Sequence, residues 1–262
     1  MENDIEKFLC ETKFCNFNNP EVKKLAKEIT KNYSNEKDKA VALFYWVRDN
    51  ILYRVGLWKK TASETLKEKE GTCTNKANLL VALLRANDIP AGYGVMKVYG
   101  RYFGPIAIPM LRKFIGNISV HTYVFVYLNN EWIKCDPSVD KILGGNISYV
   151  DKENKIVEWD GIKDAVLNFK KIDIINDSFP LANIDECFTK KPRHARGFPL
   201  KIANIYIKFV RKNTEKTTNA LELENLFKKW LKVSYPFYSY PFFIISWLKY
   251  FKTKFKKDEK NS

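Results

Sequence analysis

Apolar residues in the first third of the chain recur at helical spacing. Val22, Leu25, Ile29 and Tyr33 fall on one face of a segment opened by Pro20, which predicts a helix over 20–33. Ala40, Val41, Leu43, Phe44, Trp46, Val47 and Ile51 form a broad stripe, which predicts a second, buried helix over 37–53. A short polar helix over 63–70 is closed by Gly71. From Cys73 to Asn87 the apolar residues cover nearly the whole circumference past the first turn, as in a helix at the centre of a domain. The pattern then changes. Residues 92–99 and 120–128 are β-branched and aromatic, and Trp132 to Cys135 follow a turn at Asn129-Asn130. Helices first and an antiparallel sheet later is α+β order, with a central helix packed on the sheet.

The last third returns to helical periodicity. Segments 200–212 and 221–233 carry Ile202, Ile205, Phe209 and Leu223, Leu226, Phe227, Trp230 on one face each. An aromatic hinge, 234–241, leads to a helix over 242–257. Phe243, Ile244, Trp247, Leu248, Phe251 and Phe255 share one arc of it, and Lys249, Lys252, Lys256 and Lys257 lie opposite. That division suits an interfacial membrane helix on anionic lipid. It suits better a terminal helix docked on the body, with the Lys face in water. Nucleic acid is the weakest of the three partners, because no RNA- or DNA-binding motif accompanies the basic residues.

Charge sharpens the division. The chain of 262 residues has a net charge of +15, and residues 189–262 hold 18 basic against 5 acidic side chains. A nearly neutral body, 1–188, is therefore expected to carry a basic helical extension, 189–262. Such a block implies an anionic partner, unless the lysines only solvate the surface. The acidic, polar N-terminus has no signal-peptide character, and no apolar run is long enough to span a bilayer. The expectation is a cytoplasmic protein, peripheral at a membrane if the tail binds one. The sequence leaves the oligomeric state open. The 5 Cys are odd in number and scattered, so reduced thiols are expected. With 2 His, every site needing a histidine cluster is excluded, and neither a metal nor an organic cofactor is indicated.

Candidate chemistry begins at Gly71-Thr72-Cys73. A turn glycine leads into a helix that opens at the cysteine, where unpaired first-turn amides stabilise a thiolate. Alone, Cys73 reads more readily as a small buried hydrophobe, as most free cysteines are. The hairpin adds to it. A two-residue turn at Asn129-Asn130 sets Tyr123 opposite Asp136, and His121 shares that face. His121 and Asp136 then lie within reach of a hydrogen bond that would orient the imidazole as a base for a thiol. A three-residue turn would place them on opposite faces.

These residues resemble the transglutaminase-like superfamily. Gly71-Thr72-Cys73, followed by Leu79 through Arg85-Ala86-Asn87-Asp88-Ile89-Pro90-Ala91, is similar to its nucleophile helix, with Asp88 where glycine is usual. His121 to Tyr127 is similar to its histidine strand, and Trp132 through Asp136-Pro137-Ser138 to its aspartate segment. The resemblance runs from about Lys37 to Asp140. It implies a papain-like/transglutaminase-like core, a Cys73-His121-Asp136 triad and acyl transfer from a peptide or protein substrate. Hydrolysis of a peptide or isopeptide amide is favoured over crosslinking, since water is the default acceptor. A non-catalytic peptide-binding module, tethered by the basic tail, is the alternative. Arylamine acetyl transfer uses the same residue types but fits the Arg85–Ala91 and Asp136-Pro137 stretches less well.

The Cys73 amide is expected to supply one oxyanion donor, and Trp58 or Tyr53 a side-chain donor. Trp159, in Glu158-Trp159-Asp160-Gly161, is read either as a cleft residue or as core packing. His194 reads as part of a solvated basic turn, Cys135 as buried and inert, and Cys10, Cys15 and Cys187 as lacking metal-ligand spacing.

Overall fold

The computed structural model describes residues 5–103, 107–112, 114–147, 149–150, 156–185 and 198–236. The helical half comprises α1 (Pro20–Thr30), α2 (Glu36–Asn50), α3 (Ala62–Glu68) and α4 (Cys73–Arg85). Two short strands, β1 (Leu52–Tyr53) and β2 (Glu70–Gly71), run parallel between them. The second helix is thus shorter than its stripe suggests. It stops at Asn50, because the amides of Leu52 and Arg54 turn to the carbonyls of Lys69 and Gly71. Likewise α3 ends at a left-handed Lys69 (φ 56°), which frees Glu70 and Gly71 to pair.

The sheet follows in the order β5-β4-β3-β6, antiparallel throughout, from β3 (Ala91–Tyr99), β4 (Ile118–Leu128), β5 (Glu131–Cys135) and β6 (Ile174–Asp177). Asn129 and Asn130 both take positive φ, 51° and 66°, as a tight two-residue hairpin requires. The register follows: Leu128 pairs with Glu131 and Val124 with Cys135. Gly94 lies opposite Tyr123, and a Cβ there would sit 2.1 Å from the Tyr123 ring. The absent side chain is what lets that ring lie across the sheet.

Helix α4 is buried on all sides from Thr74 to Arg85 and packs between α1–α3 and the sheet. Its polar residues serve as internal anchors. Asn78 Nδ2 donates to Phe14 O (2.8 Å), and the Arg85 guanidinium donates to Ala91 O and Ala182 O (both 2.8 Å from Nη2). Each buried donor is thereby paired, which removes a desolvation cost of about 1–3 kcal/mol apiece. Asp88, just beyond the helix, has φ 58°. That left-handed turn explains why glycine is usual at this point of the motif.

A second core forms around α7 (Phe198–Lys212) and α8 (Ala220–Ser234), with α5 (Pro109–Arg112) and α6 (Lys141–Asn146) between β3 and α7 in the chain. Ile202, Tyr206, Phe209 and Val210 meet Leu223, Phe227 and Leu231, and the cluster takes in Ile108, Leu111, Leu143 and Ile147. The two C-terminal helices anticipated from periodicity therefore share a core with residues of the 107–147 stretch. Among the described residues no helix is long and apolar enough to cross a membrane. The 188/189 boundary, Cys187, His194 and the amphipathic segment 242–257 lie outside the described residues.

Candidate active site

The site is assembled at the start of α4. Thr72 caps the helix: Asn75 N–H donates to Thr72 Oγ1 (3.3 Å) and Thr72 N–H donates to Asn75 Oδ1 (3.0 Å). Gly71 must lack a side chain here, since a Cβ would sit 2.7 Å from Asn75 Cβ. Cys73 is the first helical residue, at the positive end of the helix dipole. One residue on, the Thr74 and Thr122 hydroxyls hydrogen-bond at 3.0 Å, which ties the first turn of α4 to β4 beside His121.

His121 Nε2–H donates to Asp136 Oδ2 at 2.6 Å, and both residues are buried. On its other side the imidazole meets the Cys73 thiol, and the Thr122 backbone lies against the same sulfur. Asp136 is itself held. The Ser138 amide donates to Oδ1 (3.0 Å) and the Leu167 amide to Oδ2 (3.3 Å). The sheet register, the capped helix and the chain returning along β5 thus fix sulfur, ring and carboxylate independently.

Their charges reinforce one another. Burial alone would raise the Cys73 thiol, but the hydrogen bond and positive charge of His121, with the Thr122 amide, bring it below 9.0. Burial alone would lower His121, but Asp136 and the Cys73 sulfur push it up to about 10. Asp136 is held below 3.8 against its burial by His121 and the Ser138 amide. Both shifts run toward a thiolate–imidazolium pair. It can carry out nucleophilic attack and return a proton to a leaving group.

Of the three further candidates, the structure brings Tyr53 to this centre. Its half-buried phenol is pushed up by burial and by the nearby Cys73 and Asp136 charges, so it stays protonated as a donor. Trp58 packs its ring on Phe14 in the core, 5.4 Å between centroids, while its carbonyl accepts from Asn75 Nδ2 (2.5 Å). Trp159 is 2% exposed and packs edge-on against Phe44, which places it in the core and not in the cleft. Cys135 is buried, and burial with the Asp136 and Asp164 charges holds its thiol well above 9.0.

Sequence reasoning missed three contributors. Phe169 lies 5.2 Å from the His121 ring and covers it. The signal was faint, an Asp164-Ala165 pair whose Asp164 Oδ1 accepts the Lys134 amide (2.9 Å) and starts the chain along β5. Lys76, one turn into α4, is buried and donates to Arg48 O (2.9 Å) and Ile51 O (2.6 Å). Burial lowers its ammonium to about 7. Asp140, four residues beyond Asp136, accepts the Tyr53 amide (2.9 Å) and the Arg211 guanidinium (2.6 Å).

The family model of the transglutaminase-like superfamily matches residues 23–137. No curated protein sequence matches the chain. Among solved structures, a candidate cysteine protease from Cytophaga hutchinsonii is 26% identical with a TM-score of 0.42, the match covering 52% of this chain and 43% of that one. A candidate protease from Parabacteroides distasonis is 17% identical with a TM-score of 0.34, over 52% of this chain and 25% of that one. The chain spans less than half the length of either. An α+β core of this kind supports a cysteine-dependent enzyme in general. Over residues 23–137 this chain is similar to the core of the transglutaminase-like superfamily.

Proposed function

We propose that the protein is a cysteine acyl-transfer enzyme that hydrolyses a peptide or isopeptide amide, with Cys73, His121 and Asp136 as its triad. The observation that carries this reading is the buried 2.6 Å His121–Asp136 hydrogen bond, on a ring whose other side holds the thiol at a helix start. Cys73 Sγ attacks the carbonyl carbon, and the carbonyl electron pair moves to oxygen. The Cys73 amide and the Tyr53 phenol face that developing oxyanion as donors. As the tetrahedral adduct collapses, the C–N bond breaks and the amine leaves with the proton from His121. His121 then takes a proton from water, which attacks the thioester and frees the acid and the thiol. Asp136 holds the ring in the tautomer that both steps need.

The test is a series of peptide-like electrophiles, read by intact-protein and peptide mass spectrometry on wild type and Cys73→Ser. The proposal expects one adduct, on Cys73, formed faster than on any other thiol at neutral pH and lost in Cys73→Ser. Equal labelling of all five thiols would point instead to a peptide-binding module.

A further inference from the structure

Strand β1 has two edges. Along one, the amides of Leu52 and Arg54 donate to Lys69 O and Gly71 O, both at 2.9 Å, which sets Tyr53 alongside Gly71, two residues before the nucleophile. The alternate residues, Tyr53 and Val55, turn their backbone groups the other way, as successive residues of a strand must. Among the described residues no strand receives them. The Tyr53 amide donates to Asp140 Oδ2 (2.9 Å), and the Tyr53 carbonyl accepts from Arg211 Nη2. The Val55 amide donates to Asn204 Oδ1 (2.9 Å), and the Val55 carbonyl accepts from Asn204 Nδ2 (2.8 Å). Arg211 also holds Asp140, through Nε (3.2 Å) and Nη2 (2.6 Å).

Two side chains of α7 thus take the place of the missing strand. Both lie outside residues 23–137, where the family match ends. Asn204 presents an amide edge to Val55 as a paired strand would. Arg211 bridges the Tyr53 carbonyl to Asp140, in the same turn region as Asp136. The Tyr53 and Val55 side chains pack against the α7–α8 core, so the segment is held by both polar and apolar contacts.

We propose that Arg211 and Asn204 are positioning residues through which α7 sets the Tyr53 phenol against Cys73, making α7 part of the acyl-transfer site. The proposal rests on the reading of Tyr53 as oxyanion donor. A donor of that kind is worth about 10²- to 10³-fold only when it is held at hydrogen-bond distance from the developing charge. A tyrosine on a two-residue strand needs an external support to be held so.

The test compares two reactions of Cys73 in the full chain. Acylation by p-nitrophenyl acetate develops an oxyanion. Alkylation by iodoacetamide needs only the thiolate. Tyr53→Phe is expected to slow acylation at least thirtyfold and alkylation less than threefold. Arg211→Met and Asn204→Leu are expected to slow acylation at least fivefold, again with alkylation nearly unchanged. In the Tyr53→Phe background each should cost less than a further twofold. Arg211→Lys, which keeps a charge for Asp140, should recover part of the acylation rate. If Arg211→Met fails to fold, Asn204→Leu decides, since it strips only the two Val55 bonds.

Tyr53→Phe slowed as expected, with both α7 variants within twofold of wild type, would overturn the positioning role alone. So would full additivity with Tyr53→Phe. An unaltered Tyr53→Phe would overturn donor and positioning together. No acetyl adduct on Cys73 in wild type would sink the acyl-transfer reading beneath them.

Discussion

Cys73 and Cys135 both lose solvent and both feel the negative charge of Asp136, yet their thiols are driven in opposite directions. Cys135, in β5, has nothing to set against burial and rises well above 9.0. Cys15, in the helical core, rises to about 11 even with Arg85 nearby. Cys73 falls below 9.0 because an imidazolium and a backbone amide meet its sulfur. The same contrast holds for the cations. Lys76 is buried against neutral carbonyls and drops to about 7, while His121 is buried against a carboxylate and climbs to about 10. Burial alone makes a group inert, and the partner placed inside the burial makes it reactive.

The sharpest way to break this comparison is to remove the partner. Asp136→Asn keeps the shape of the side chain but takes away the charge that holds His121 protonated. Without it, burial should pull the ring below its ordinary 6.5 and return Cys73 toward the condition of Cys135. Acyl transfer should fall by about 10²- to 10⁴-fold, the usual weight of a positioned acid–base group. A burst assay with p-nitrophenyl acetate measures it. A loss smaller than tenfold would mean that Asp136 does not set the state of the ring.

A second effect is read in stability against pH. The raised pKa of His121 contributes stability that is complete below 6.5 and lost as pH rises through about 10. The lowered pKa of Cys73 contributes stability that is complete above 9.0 and lost as pH falls through its folded value. Above 9.0 the unfolded pair has lost both protons while folded His121 keeps one up to about 10, so the pair's contribution falls across that window. Urea midpoints from pH 8.5 to 10.5 should show that fall in the difference between wild type and Cys73→Ala/His121→Gln. A difference that stays level from 9 to 10.5 would rule out the ion pair.

The smallest effect lies away from the chemistry. Asp88→Gly relieves a left-handed backbone and should stabilise the protein by about 0.5 kcal/mol, leaving acyl transfer unchanged. Thermal melts beside the burst assay check both halves of that statement.

How far the sequence foretold all this varies with the kind of interaction. The start of α4 at Cys73 and the meeting of His121 with Asp136 were legible because each rests on a strong local signal. Gly71-Thr72 fixes where α4 starts, and Asn129-Asn130 fixes the hairpin register that brings His121 to Asp136. Strand β6 was not legible, because Ile174-Ile175-Asn176-Asp177 is short and half polar, and its place at the edge of β3 depends on chain folded back from far away. The supports of the site were hidden for a related reason. Asn204 and Arg211 look like the polar face of a basic amphipathic helix, and Lys76 like a solvated lysine near a helix start. Only the tertiary structure reveals that each meets backbone groups 25 to 158 residues distant. Trp58 and Trp159 are the converse: aromatic residues near the motifs that the packing draws into the core.

The central claim is that Cys73 is a thiolate because His121 is an imidazolium. Site-resolved rates of iodoacetamide alkylation from pH 5 to 10, with exposed Cys10 as internal reference, test it most directly. The account predicts that Cys73 outpaces Cys10 at neutral pH and that its rate changes again near 10 as His121 loses its proton. A Cys73 rate no faster than that of Cys10 at neutral pH, with no change near 10, would contradict it.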